Sequence, residues 1–443
     1  MTIRRPDHGR QPADGPDGYP WPGLDAAFTA RVAALAGTAE ARELADSVVL
    51  NDGRTQQARR LGLPLRLRPG LRAELAALVA AYHRLIETIV TGYGRDPRLR
   101  DVLTLPEPLR AEAEAARDSR VHLLRLDLLP QPDGTLRVLE TNANCPSGLY
   151  ASGCGRSAWR PLLTRHGVGL PAPLPSETAD WLGRWLTDTA ERHTGRRPDT
   201  VAVLCPEGAN RNDVLAYGDA LTALGVRALH ADPRELRTGP GGAAVLRGET
   251  VRCAYAKIGM QDLARLSGEV GPYLRAVREG TLFVQNGLRG RLVGDNKLCL
   301  AVLSDPAFAD LFDPADYRRV HSAVPWSRNL ARCDDATVRR IARDREHHVL
   351  KRPLDTRGRG VVIGPATGDA QWQEAVERAG AEGWLVQEYL PSPRLRTTPD
   401  GPAPRHDLAL GAVDGRLAAA FVRTGHEERL SVAGSGSLHP LYF

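Results

Sequence analysis

Residues 125–148 read RLDLLPQPDGTLRVLETNANCPSG. Leu123 to Leu129 and Thr135 to Leu139 are two apolar runs of strand length, and Pro130-Gln131-Pro132-Asp133-Gly134 between them is a strong turn signal. A hairpin of this kind brings Asp127 and Glu140, thirteen residues apart, towards a common point. Asn142 follows Glu140 at i+2 and lies on the same side of an extended chain, as Arg125 does relative to Asp127. Two carboxylates and an amide are hard oxygen donors, suited to Mg²⁺ carrying nucleotide phosphates. The guanidinium beside them is suited to developing negative charge.

The plain alternative is an exposed hairpin carrying structural ion pairs, which outnumber functional carboxylate pairs. The full string R-x-D-x12-E-x-N-x3-P-S-G is more specific than that pair. It resembles the metal-binding signature of the ATP-grasp ligases, the superfamily of D-alanine ligase and glutathione synthetase. Its RxD, ExNA and PS pieces look most like the synthetase domain of glutathionylspermidine synthase. The resemblance implies ATP and Mg²⁺ as cofactors, the metal at Asp127, Glu140 and Asn142, and transition-state contacts from Arg125.

The chain has 443 residues, enough for two or three lobes with a buried core, and its 42% hydrophobic and 25% charged content is that of a globular protein. Six dispersed cysteines with no CxxC pair argue against a disulfide framework or a zinc site and for a reducing, cytoplasmic setting. The first 23 residues are polar and rich in Pro and Gly, with no apolar segment of signal or membrane-span length. The net charge of +6 is spread along the chain and forms no basic stripe, so no nucleic-acid partner and no membrane partner is expected. Only Lys257, Lys297 and Lys351 are lysine, the other 59 − 3 = 56 basic residues being arginine. In such a chain a surviving lysine marks a candidate site for a compact ammonium.

From Leu24 to Arg117 the recurrence of Ala, Leu, Arg and Glu is helical. CPSGLYASGCG reads as a Gly- and Ser-rich loop suited to close approach of a substrate, with Ser147 in it and Cys145 as a plain loop thiol. Between Asp199 and Phe283 strand, helix and strand alternate, a small α/β unit with parallel strands in which Lys257 ends the last strand read. Gly294-Asp295-Asn296-Lys297 reads as the start of a helix facing anionic oxygen, and VPWSRNL as a loop. Val349 to Lys351 ends one strand, Thr356 to Gly360 is a flexible loop, and Val361 to Ile363 returns antiparallel. This arrangement suits phosphates held by Lys351 under Gly358 and Gly360. Leu385 to Leu390 is a further strand, and two alternating strands flank Val413-Asp414-Gly415.

Resemblance to permuted ATP-grasp chains extends these assignments. It implies that Lys297 and Lys351 contact nucleotide phosphate and that Tyr389 and Leu390 meet the adenine edge by their backbone, with Gln387 and Glu388 nearby. It further implies substrate contacts from Lys257 and Ser147 and a phosphate clamp from Arg423. An arginine usual soon after the position of Asp407 is absent, and Gly434-Ser435-Gly436 matches the usual terminal glycine pair loosely. The metal motif precedes the lysines by about 150 to 200 residues, the reverse of the common order, which implies circular permutation, with the last strands completing the lobe of residues 120–150.

The expected fold class is α/β with α+β lobes: a circularly permuted ATP-grasp fold with a preceding small α/β domain and an N-terminal helical region. Its parts are a flexible arm (1–23), a helical region packed on the core (24–118), the metal-binding part (119–175), the α/β domain (199–290) and the nucleotide-binding lobes (291–443). The resemblance covers about residues 120–443 and implies an ATP-dependent carbon–nitrogen ligase acting on small-molecule carboxylate and amine substrates. The alternative is a degenerate ATP-grasp protein that binds nucleotide without turnover. A joined amidase is disfavoured, because the N-terminal region is short and lacks a Cys/His pattern. Substrate identity and oligomeric state are not legible.

Overall fold

Alternation of polar and apolar residues along Leu123–Pro130 and Leu136–Asn142 demands a sheet with two different faces, and that sheet is the centre of the molecule. The computed structural model describes residues 21–47, 61–209, 212–356, 358–397, 403–430 and 436–443. The expected arm lies outside the described residues except for its last three positions, where Trp21 is buried. Arg357, Gly434 and Ser435 also lie outside them.

The central sheet has six strands in the order Leu65–Arg66, Ser437–Tyr442, Arg416–Gly425, Arg405–Val413, Leu123–Pro130, Leu136–Asn142. All neighbours are antiparallel except the first pair. The last strands of the chain thus complete the sheet of the early hairpin, as the motif order requires. Ser437–Tyr442 was not read as a strand from sequence; Pro440 lacks the N–H that a central ladder normally uses.

The back face carries Leu124, Leu126, Leu128, Leu408, Leu410 and Val422, which share one core with the helix Leu71–Tyr93. That helix buries Leu75, Val79, Tyr82, Ile86 and Val90 at helical spacing, and Tyr82 bonds its hydroxyl to Thr141 on the sheet. It is also the one described helix long and apolar enough to cross a membrane by composition, and its apolar stripe is spent on this core.

The segment read as a loop after Pro146 is a correction: Leu149–Arg165 is a helix, and its Leu149, Trp159 and Leu162 cover Leu123, Ala409 and Phe421 on the front face. Small residues serve close packing there. A Cβ on Gly153 would lie 1.7 Å from the Ser176 carbonyl oxygen, and Gly148, at φ 89°, caps the helix where a Cβ would meet Phe421 Cζ at 2.7 Å. The helix covers only one end of the front face.

Two further sheets flank the uncovered end. Phe283–Val284, Cys253–Ala256, Thr200–Leu204 and Arg227–Ala231 form an all-parallel sheet. Ser327–Asn329, Leu385–Glu388, His348–Lys351 and Val361–Ile363 form an antiparallel one. The VPWSRNL segment therefore supplies an edge strand, where the sequence suggests a loop. Gly148→Ala combines a left-handed backbone with a steric clash and is expected to destabilise the protein by about 1–3 kcal/mol. Urea denaturation measures this, and an unchanged midpoint would remove the packing argument.

Candidate functional site

Asp127 lies directly opposite Glu140, and Arg125 opposite Asn142. In the neighbouring hairpin Asp407 lies opposite Arg423, while Ala409 stands between Asp127 and Phe421. Antiparallel partners share a face, so Arg125, Asp127, Glu140, Asn142, Asp407 and Arg423 all project from the uncovered end of the front. Two bulges make this possible: the register shifts past Leu139 in one hairpin and past Ala418 in the other.

Asp127 is 1% exposed and is gripped by two guanidiniums. Arg125 forks onto it through Nε at 2.7 Å and Nη2 at 2.9 Å, and Arg423 Nη2 reaches it at 3.0 Å. The Asn142 amide nitrogen adds a long contact of 3.4 Å. Arg423 also forks onto Asp407, at 2.9 and 2.6 Å. Burial alone raises a carboxyl pKa, but Arg125 and Arg423 outweigh it at Asp127 and hold that group below its ordinary value. At Asp407 burial wins and the pKa rises, while Arg423, despite its own burial, is driven upward by the two carboxylates.

Across the cleft, Lys297 Nζ lies 3.5 Å from Glu140 Oε2 and donates to the Asp355 carbonyl at 2.5 Å. Lys351 Nζ donates to the Leu139 carbonyl at 2.9 Å and to Gln387 Oε1 at 2.7 Å. Leu139 is the bulged residue, so the irregularity that aligns the acids also offers Lys351 an acceptor outside the ladder. Burial lowers the Lys351 pKa to about 8, against an opposing pull from Glu140. Both lysines are only 7% exposed.

The remaining expected residues form a rim. Lys257 Nζ donates to the Cys145 carbonyl at 3.0 Å and to Ser147 Oγ at 2.6 Å, and the Ser147 carbonyl accepts from Arg125 Nη1 at 2.7 Å. Gly360 accepts from the Arg352 amide, and the Gly358 carbonyl accepts from Arg429 at 3.0 Å. Gln387 is buried beside Ser327, whereas Glu388 is half-buried with Arg137 at 4.0 Å. The Tyr389 amide is donated to the His347 carbonyl and its hydroxyl to Glu428, while Leu390 follows the strand's end, half-buried. Asp295 to Lys297 do not open a helix: they close Leu288–Gly294, and the next helix, Cys299–Ser304, starts beyond them. Lys297 is placed by the turn and by the hydrogen bond its backbone amide donates to the Pro353 carbonyl.

No protein-family model matches the chain, and no curated protein does. Among solved structures, a glutathione synthetase-like effector, GSS30 from Globodera pallida in its apo form, superposes over 95% of this chain and 98% of its own. Its TM-score is 0.61 and its identity 12%. The chain has an ATP-grasp-like fold. The ATP-grasp ligase PsnB complexed with a minimal precursor matches at TM-score 0.31 and 15% identity, over 55% of this chain and 89% of that one, too weak a superposition to support an argument.

Within this ATP-grasp-like fold Arg125 and Arg423 on the front face, with Lys297 and Lys351 opposite it, meet Asp127, Glu140 and Asp407, and Asp295 lies behind Lys297. The described residues hold no cluster of three or more His, Cys, Asp or Glu arranged for a metal. The oxygen donors at hand are Glu140, with a 28% exposed side chain, Asn142 and Asp127. Glu140, paired with Lys297 at 3.5 Å, and Asp127, held by two arginines, are the right donor types for a hard cation with Asn142, and each would admit one as its cationic partner turns to an incoming anion. Sequence reading matched Asp407 to a family position without giving it a role in the site, and it missed Asp295, whose carboxylate accepts the Ala143 and Asn144 amides at 2.7 and 3.0 Å and fixes the turn after Asn142.

Removing Arg423 leaves two buried carboxylates without their shared cation, expected to cost about 3–5 kcal/mol at pH 7. In Arg423→Met Asp407 loses its hydrogen-bonded cation and gains a proton more readily in the folded than in the unfolded chain, while Asp127 keeps Arg125. The penalty therefore shrinks as pH falls towards 5. Urea unfolding at the two pH values measures it, and an equal penalty at both would contradict the pairing.

Proposed function

We propose that the chain is an ATP-dependent carboxylate–amine ligase. One observation carries this reading: Asp127 and Glu140, from an early hairpin, and Lys297 and Lys351, from far along the chain, meet in one cleft beside two arginines. Fixed cations packed around hard oxygen donors suit a triphosphate with its metal better than they suit a neutral ligand. Mg²⁺ would be held by Glu140, Asn142 and Asp127 and would supply neutralisation of triphosphate charge. Lys297 and Lys351 would hold phosphate oxygens, with Gly358 and Gly360 closing above them. Gln387, Glu388, Tyr389 and Leu390 would border the base. Since the Tyr389 amide is already donated, the Leu390 amide and nearby carbonyls are the groups left for the adenine edge.

In this reading a substrate carboxylate oxygen, oriented by Lys257 and Ser147, attacks the γ-phosphorus, and the bond to the ADP oxygen breaks. Arg125 and Arg423 balance the charge on the transferred group. An amine then attacks the acyl carbon, loses a proton, and phosphate departs. No protein nucleophile is needed, so positioning and charge carry the catalysis. The substrates are small molecules, the ATP-grasp parts are in permuted order, and six dispersed cysteines with no CxxC pair suit the cytoplasm.

A second reading, a nucleotide-binding protein without turnover, is favoured by one observation: the Asp127 carboxylate has its oxygens taken by Arg125, Arg423 and Asn142. ADP release with pools of carboxylic acids and amines, products read by mass spectrometry, separates the two. The ligase reading expects acid-dependent ADP and a new amide. ATP binding without ADP release supports the second.

Glu140→Gln spares the buried arginine pairs, and it is expected to lower ADP release at least about 100-fold, as loss of a transition-state charge contact does. Its melting temperature should stay within a few degrees of wild type. Full turnover would remove Glu140 from the metal set. Lys351 loses its charge as pH rises through about 8, so Mg·ATP affinity is expected to fall about tenfold between pH 7 and 9. Calorimetry measures this, and Lys351→Met should abolish the dependence. Fold stability runs the other way, because between about pH 8 and 10 the unfolded chain holds the Lys351 proton and the folded one does not. A loss of affinity there is therefore not a loss of structure.

A further inference from the structure

Arg291 is one of the arginines with no distinguishing mark in the sequence, yet it is fully buried, and the contacts of its guanidinium are all to neutral groups. Its Nε donates to Asn144 Oδ1 at 2.8 Å, its Nη1 to the Tyr273 hydroxyl, and its Nη2 to the carbonyls of Ala256 and Ile258 at 3.3 and 3.4 Å. A buried cation is costly without a carboxylate partner, so a group retained in this form calls for a role that a neutral side chain does not fill.

The partners define that role. Ala256 and Ile258 flank Lys257 at the end of the parallel sheet, and Asn144 lies between Asn142 and Ser147 in the turn that leaves the site hairpin. Asn144 Nδ2 donates to the Ile258 carbonyl at 2.7 Å. Gln285 joins the same two segments, donating to the Asn144 carbonyl at 3.0 Å and to the Ala256 carbonyl at 2.9 Å and accepting the Ala256 amide at 2.9 Å. One planar fork thus ties two pieces of chain from different sheets. On the outer side of that tie Lys257 reaches the Cys145 carbonyl and Ser147 Oγ.

We propose that Arg291 is a positioning residue: by tying Ala256 and Ile258 to Asn144 it fixes Lys257 against Ser147, and its charge makes that corner selective for an anionic group. The anionic group is the carboxylate of the acid substrate, a point that rests on the ligase reading; the positioning itself does not. Lysine or methionine at 291 would not reproduce the fork, since neither presents donors in three directions within one plane.

The test uses the fact that the chain has only three lysines, Lys257, Lys297 and Lys351. Full-length wild type, Arg291→Gln and Tyr273→Phe are treated with limiting acetic anhydride, and acetylation rates at each lysine are read by mass spectrometry. Loss of the tie is expected to raise the Lys257 rate at least about fivefold in Arg291→Gln and less in Tyr273→Phe, with Lys297 and Lys351 within about twofold of wild type. If Arg291→Gln does not fold, Tyr273→Phe, which deletes one oxygen, decides. An unchanged Lys257 rate, or a rise at all three lysines together in the folded variant, overturns the proposal.

This readout needs no turnover, so it stands apart from the ligase reading, which fails if wild type releases no ADP. Where turnover is found, Tyr273→Phe is expected to raise KM for the acid about tenfold while kcat and KM for ATP stay within about twofold. Equal KM values would overturn the carboxylate assignment.

Discussion

Two single-residue bulges govern the chemistry of the front face. In an unbroken antiparallel hairpin closed at Pro130 and Leu136, Asp127 would pair with Leu139 and Glu140 would turn to the apolar back. The extra residue at Leu139 reverses that parity and sets the two acids side by side. The extra residue at Ala418 does the same for the next hairpin, bringing Arg423 opposite Asp407 and within reach of Asp127. Without either irregularity, half the charged groups would be driven into the core shared with the helix Leu71–Tyr93, where an unpaired charge is not tolerated.

The charges that result are dense, buried and mutually dependent. Asp127 is ionised because Arg125 and Arg423 surround it, and Arg423 in turn depends on Asp127 and Asp407 for compensation. Such a network is poor as a source of stability, since the desolvation of each ion offsets much of its attraction. It is well suited to exchanging partners with a polyanion, because each arginine that turns to a phosphate frees a carboxylate oxygen for a cation. The fold supports this arrangement from three sides: the core helix behind, the helix Leu149–Arg165 over the apolar half of the front, and the antiparallel sheet that delivers Lys351 to a carbonyl left outside the ladder.

Much of this was legible. The turn signal and spacing place Asp127 and Glu140 on adjacent strands, and the scarcity of lysine singles out Lys257, Lys297 and Lys351, each of which lies in or beside the cleft. The bulges were not legible: an extra residue shifts the two-residue period, as the apolar pair Val138-Leu139 before Glu140 does, but the same break marks any irregular strand. For the same reason Asp407 was hidden: counting back from Asp414-Gly415 pairs it with Val422 instead of Arg423. The first part of the helix Leu149–Arg165, up to Gly155, reads as a loop because its glycines serve close packing against Ser176 and its neighbours, and Ser437–Tyr442 is masked by Pro440. Arg291 gave no signal at all, since burial alone distinguishes it from the other arginines.

The most direct measurement is a crystal structure of the full chain grown with Mg²⁺ and a non-hydrolysable ATP analogue. The account requires the triphosphate in the cleft between the front face and the antiparallel sheet, with Lys297 and Lys351 on phosphate oxygens and Glu140 among the ligands of the cation. An analogue bound elsewhere on the chain, or no binding at saturating concentration, would contradict it.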